Sequence, residues 1–127
     1  MQEEAHLKEV CPTSTQKLIE RGYALLDVRE RTETEQLKFI APKIYYIPFS
    51  ELAQRYEELP KEENFVVAAN TGFDSVEASI FLLAKGLKVL NMKKGLAKWV
   101  QKGYATEGNI NAVDWQNAIA CSHHHHR

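Results

Sequence analysis

Four short apolar runs, none with strict alternation, constrain the fold of this chain more than any other feature. They are Tyr23-Ala24-Leu25-Leu26-Asp27-Val28, Ile44-Tyr45-Tyr46-Ile47, Phe65-Val66-Val67-Ala68-Ala69 and Leu87-Lys88-Val89-Leu90, each four to six residues long. A strand with one face in water alternates apolar and polar side chains, whereas a strand covered on both faces reads as a continuous apolar run. Helix-period stretches fall between these runs, and the alternation of the two patterns predicts an α/β domain. We expect one mostly parallel sheet of about five strands with helices on both faces.

The predicted helices have recognisable ends. Thr13-Ser14-Thr15-Gln16 reads as a capping box opening a helix that runs to Arg21, with Gly22 suited to its C-terminal cap. Phe49 to Glu58 carries Phe49, Leu52, Ala53 and Tyr56 at three-to-four spacing and meets Pro60. Ser75 to Lys85 repeats the pattern with Val76, Ile80, Leu83 and Ala84, ahead of Gly86. Leu96 to Lys102 presents Leu96, Trp99 and Val100, ahead of Gly103. A short last helix is expected from Val113 to Ala120.

At 127 residues the chain suits one domain and buries enough surface to fold without metal or disulfide staples. The domain is expected over residues 1–108, with a helical tail over 109–127 that ends in a His run. A net charge of −1 lacks the basic excess of a nucleic-acid binder. No apolar run approaches the ~18 residues of a membrane span, and no apolar segment follows the acidic Met1-Gln2-Glu3-Glu4 start as in a signal peptide. Cys11 and Cys121 are two distant thiols rather than a disulfide framework, which points to a reducing, cytoplasmic setting. His123-His124-His125-His126-Arg127 is either a native tail or an added tag, and no metal site and no cofactor are expected from it. Charge is segregated: Glu51, Glu57, Glu58, Glu62 and Glu63 in one stretch, Lys85, Lys88, Lys93, Lys94, Lys98 and Lys102 in another. Two solvated faces explain this simply, and a basic surface for an acidic partner is the alternative.

The segment with most chemistry in it is Phe65-Val66-Val67-Ala68-Ala69-Asn70-Thr71-Gly72-Phe73-Asp74-Ser75. A buried strand enters a glycine-containing turn and a helix opens at once. Successive N–H groups in such a turn form a nest, and the helix N-terminus adds about half a positive charge. That arrangement suits an anion or a low-pKa thiolate.

Marks along the chain, in order, resemble the rhodanese-like family of sulfurtransferases. Leu25-Leu26-Asp27-Val28-Arg29-Glu30 is similar to the family's Asp-Val-Arg strand end, and Ile47-Pro48-Phe49 to its Ile-Pro-hydrophobic segment. The loop with Gly72 and Ser75 follows, then Met92-Lys93-Lys94-Gly95, Trp99 and Gly103, similar to the family's glycine-rich turn and tryptophan helix. The resemblance covers roughly residues 8–107 and implies a sulfurtransferase fold. The family's loop reads cysteine, two residues, glycine, one residue, arginine, serine. On this chain the cysteine falls at Ala69, the glycine at Gly72, the arginine at Asp74 and the serine at Ser75.

Two of those four positions depart from the pattern. The family's cysteine attacks a sulfane sulfur donor and carries the sulfur as a persulfide, and the Ala69 methyl group has no lone pair for that step. An arginine at 74 would favour anionic donors, whereas Asp74 opposes them. Asp74 also fits an N-cap, with Glu77 completing a capping box. Residues 31–40 lack the family's Gly-His-Ile step. From Ala69 to Asp74 the loop has six residues, the length sulfurtransferases use, one shorter than in the related cell-cycle phosphatases.

The expected reading is a rhodanese-like domain, inactive as it stands, acting as a binding or regulatory module. The alternative is a thiosulfate or persulfide sulfurtransferase whose cysteine at position 69 has been replaced. The expected binding residues are Ala69, Asn70, Thr71, Gly72, Phe73, Asp74 and Ser75, with Asp27 and Arg29 at the neighbouring strand end, either at the site's mouth or as an ion pair supporting the loop. The partner is an unidentified protein or a small anionic or sulfur ligand, with no nucleic acid and no membrane. Trp99 and Trp115 are expected to pack, and Cys11 to be half-buried at a helix entry.

Overall fold

A computed structural model describes residues 7–113. Five strands form one sheet, β1 (Glu9–Val10), β2 (Ala24–Asp27), β4 (Ile44–Tyr46), β5 (Asn64–Ala68) and β6 (Lys88–Met92), in the order β1-β6-β5-β2-β4. Every pairing within it is parallel. A second, two-stranded antiparallel sheet joins β3 (Leu37–Phe39) to β7 (Thr106–Gly108). The helices are α1 (Pro12–Glu20), α2 (Arg31–Thr34), α3 (Phe49–Arg55), α4 (Gly72–Ala84) and α5 (Gly95–Gln101).

In the two central strands, β2 and β5, the lack of alternation has the expected cause. β4 instead lies at the sheet edge, with Ile44 and Tyr45 half-buried and Tyr46 exposed, and β6 opens on exposed Lys88. Along β2 and β5 successive residues serve opposite apolar layers. Ala24, Leu26, Phe65, Val67 and Ala69 join Leu52 of α3 and Ala78 and Leu82 of α4. Leu25, Val66 and Ala68 join Leu18 of α1, Leu96 and Trp99 of α5, and Phe39 of β3. Trp99 is fully buried, its indole N–H donates to the Ala105 carbonyl at 2.8 Å, and Phe39 and Tyr104 meet its ring edge-on. It packs, as expected.

Several elements differ from expectation. Two-residue β1 and the short β3 and β7 are too brief to carry a periodic signal. The first helix opens at Pro12 rather than at a Thr13 box. Proline fits the first helical position because its missing N–H would be unpaired there anyway, and the Cys11 sulfur accepts the Ser14 amide at 3.4 Å as the cap. Thr13 Oγ1 instead meets the Tyr104 hydroxyl at 2.9 Å. The third helix ends at Arg55 and finishes as a 3-10 turn over Tyr56–Glu58. A 3-10 turn, Ile110–Ala112, precedes Val113. The rest of the expected last helix, with Trp115, Cys121 and the His run, lies outside the described residues.

The acidic stretch is not an isolated face. Glu51 pairs with Arg31 at 2.6 Å and Arg55 at 2.8 Å, Glu58 with Arg55 at 2.9 Å, and Glu63 with Lys43 at 2.9 Å. No helix among the described residues is long and apolar enough to cross a membrane.

Candidate functional site

In a parallel sheet every strand-to-helix connection leaves from the carboxyl edge, where α/β folds gather their ligands. The segments following β2, β5 and β6 meet there. Asp27, the last residue of β2, and Arg29 form a buried ion pair: Arg29 Nη2 lies 3.0 Å from Asp27 Oδ2, and its Nε donates to Oδ1 at 3.2 Å. The Arg29 amide also donates to Asp27 Oδ1 at 2.9 Å. Burial pushes the Asp27 carboxyl up, and the bonds from Arg29 pull it back. The same guanidinium donates to the Leu37 carbonyl at 2.6 Å, faces Asn70 Oδ1 at 3.5 Å, and stands 5.3 Å over the Phe39 ring. Arg29 thus ties β2, β3 and the loop together.

The loop after β5 is held from several sides. Asn70 Nδ2 donates to Glu33 Oε2 at 2.5 Å, and Glu33 Oε1 accepts the Glu30 amide at 3.2 Å. The Leu96 amide donates to the Ala69 carbonyl at 3.0 Å. A Cβ at Gly95 would collide with the Asn70 carbonyl oxygen, and one at Gly72 would come within 2.9 Å of the Lys93 backbone. Glycine is required at 95 for a second reason, its φ of +58°. Lys94 beside it adopts φ 71°, an uncommon left-handed conformation for a residue with a side chain.

Asp74 is not the helix cap. Thr71 is: its backbone is extended and its Oγ1 accepts the Asp74 amide at 3.2 Å. The helix begins at Gly72, so Asp74 falls in the first turn, and Glu77 is too far along to close a box with Thr71. The reason is local. Threonine caps well, and glycine tolerates the crowded entry beside Lys93. Asp74 still complements the helix dipole from its first-turn position.

The structure divides the expected site residues. Arg29, Asn70, Thr71 and Asp74 line a cleft of about 280 Å³, together with Glu33, Gln36, Leu37, Leu96 and Val113. Asp27 stands behind Arg29. Ala69 is 2% exposed and packs in the core, while Phe73 is 68% exposed. Ser75 is fully buried and its hydroxyl donates to Asn91 Oδ1 and reaches the Gly72 carbonyl at 3.3 Å. Asn91, also fully buried, donates to the Gly72 carbonyl at 3.1 Å and to Glu9 Oε2 at 3.0 Å. Sequence reasoning passed over Asn91, Glu33 and Gln36. A polar residue between Leu90 and Met92 of β6 was a usable signal for Asn91, and the Glu30-x-x-Glu33 spacing of a capping box was one for Glu33.

Among the described residues no cysteine lines this cleft. Cys11 is half-buried at the entry to α1, where bonds with the Ser14 hydroxyl and amide lower its thiol pKa. It follows β1, which β6 separates from β5 in the sheet.

Comparison with known proteins agrees with this architecture. The rhodanese-like domain profile matches residues 12–102. A sulfurtransferase of Allochromatium vinosum is 29% identical over 80 residues, 62% of this chain and 73% of that protein. YtwF of Bacillus subtilis, provisionally named a sulfurtransferase, is 23% identical over 93 residues, 73% of this chain and 90% of that protein. The crystal structure of a rhodanese-related protein from Thermoplasma volcanium superposes with a TM-score of 0.72 at 25% identity, covering 80% of this chain and 99% of that one. With its five-stranded parallel sheet, its loop after β5 and a family match over most of its length, this chain belongs to the rhodanese-like domain family.

Proposed function

We propose that this rhodanese-like domain is a non-catalytic binding or regulatory module, which holds a protein partner or a small ligand at the carboxyl edge of its sheet in a reducing, cytoplasmic setting. One observation supports this reading: residue 69, where the family resemblance puts the nucleophilic cysteine, is an alanine. Sulfur transfer through a persulfide needs a thiolate to attack the sulfane sulfur, expel the rest of the donor and then surrender the sulfur to an acceptor. The Ala69 methyl can form no such bond. The rest of the edge is built to stay in place, with Arg29, Asn70, Glu33 and Asn91 each joining two or more segments.

The test is a thiosulfate-to-cyanide assay on the full chain, reading thiocyanate. The expected rate is the uncatalysed one. Turnover that disappears when Cys11 or Cys121 is alkylated overturns the proposal. A second reading is a sulfurtransferase whose cysteine has been replaced by Ala69, and the retained six-residue loop with its Gly72 and Ser75 favours it. Codon 69 of the source gene separates the two: a cysteine codon there selects the second.

A further inference from the structure

We infer that the cleft takes a cationic group, an alkylammonium or guanidinium head on a short aliphatic stem, rather than the anion a nest at a helix N-terminus would suggest. This rests on the reading of the cleft as a binding site and names the chemistry of what it binds.

The charges around the cleft decide the matter. Among the described residues its charged lining consists of Arg29, Glu33 and Asp74. Arg29 is the one cation, and Asp27 neutralises it at 3.0 Å, leaving its guanidinium bonded to Asp27 and the Leu37 carbonyl. Two carboxylates of the lining have no salt-bridge partner among the described residues, Glu33 on α2 and Asp74 in the first turn of α4. Glu33 accepts one bond at each oxygen, from the Glu30 amide and from Asn70 Nδ2. A carboxylate has about four acceptor sites, so both oxygens can take a further donor. The half charge of the α4 N-terminus, which would attract an anion, is already met by Asp74 within the first turn. Lys93 and Lys94 are exposed on the turn packed against Gly72, but neither lines the cleft.

The remaining lining fits the rest of such a ligand. Leu37, Leu96 and Val113 offer apolar wall, along which an aliphatic stem can lie while its charged head meets the carboxylates. The same chemistry is presented by a free amine or guanidine and by a lysine or arginine side chain of a protein partner.

Amide-resolved NMR titration of the full chain at constant ionic strength tests this with three probes. These are ethylguanidinium chloride, an acetylated and amidated Gly-Arg-Gly peptide, and sodium thiosulfate. Saturable shifts at the Asn70, Thr71 and Asp74 amides are expected with a guanidinium probe and not with thiosulfate. Saturation by ethylguanidinium shows that a free ion suffices, and saturation by the peptide alone assigns the site to a partner's side chain. Glu33→Gln can keep the oxygen that accepts from Asn70, gives up the bond from the Glu30 amide, and removes the charge. It and Asp74→Asn should each weaken guanidinium binding roughly threefold to fivefold, as expected for partly solvated ion pairs. Unchanged far-UV circular dichroism confirms that each variant is folded. Thiosulfate seated at those amides, variants that bind as tightly as the parent, or no saturation with any probe overturns the inference. The thiocyanate assay on the same sample reads catalysis alone. Turnover overturns the non-catalytic reading, whereas thiosulfate binding without turnover overturns only the ligand class.

Discussion

Ala69 sits almost wholly buried where β5 leaves the sheet, with the Leu96 amide bonded to its carbonyl and its methyl group packed in the core. A cysteine there would add a sulfur beside a helix N-terminus, which depresses thiol pKa. Asp74 works against that, because a carboxylate nearby disfavours a second negative charge. Ala69→Cys alone is therefore expected to give weak thiosulfate-to-cyanide transfer. Adding Asp74→Arg should raise the rate at least ~10-fold, equivalent to about 1.4 kcal/mol of transition-state stabilisation. Equal initial rates for the single and double variants would show that Asp74 is not what limits the restored site.

Among the elements, α4 matters most because its first turn forms one wall of the cleft. Its cap is Thr71, so Thr71→Ala should cost about 1 kcal/mol of stability in urea denaturation, and Thr71→Ser much less. Asp74→Ala loses only the interaction with the helix dipole, roughly 0.3–1 kcal/mol and smaller in high salt. If Asp74→Ala proves the more damaging of the two, the cap assignment is wrong. The short α2 is anchored differently, through Glu51, whose carboxylate bridges Arg31 of α2 and Arg55 of α3. Bonds from those two arginines hold the Glu51 carboxyl below the ordinary glutamate range. A carboxyl with a depressed folded pKa stabilises the fold above its unfolded pKa, and this contribution is lost as pH falls through the folded value. Glu51→Gln should thus lower the melting temperature at pH 7, and the gap to the parent should close on acidification below about pH 4. A gap that stays constant with pH would mean the bridge contributes nothing through its charge.

For the molecule as a whole, the central strands β2 and β5 feed both apolar layers, so neither layer can form without the shared sheet. Unfolding should then be one cooperative transition, with far-UV circular dichroism and tryptophan fluorescence giving the same midpoint. Val67→Ala opens one layer and Val66→Ala the other. Each is expected to cost on the order of 2 kcal/mol and to move both signals together. Separate midpoints for the two signals in either variant would show that the layers melt independently.

The parallel sheet, the two helical layers, the strand end at Asp27-Val28-Arg29 and the absence of a cysteine from residues 65–75 were all written in the order of residues. Apolar periodicity reports whether one or both faces of an element are covered, and a side chain's chemistry is present wherever the chain places it. Only the tertiary structure decided which polar residues work together. Asn91 reaches Gly72, Ser75 and Glu9 because β6 lies between β5 and β1. Glu33 meets Asn70 because α2 and the loop converge at one sheet edge. Thr71 rather than Asp74 caps α4 because Gly72 can enter the helix against the Lys93 backbone. These are contacts between residues as far as 82 positions apart in Asn91 and Glu9. Periodicity carries only local geometry, so it could not foretell them.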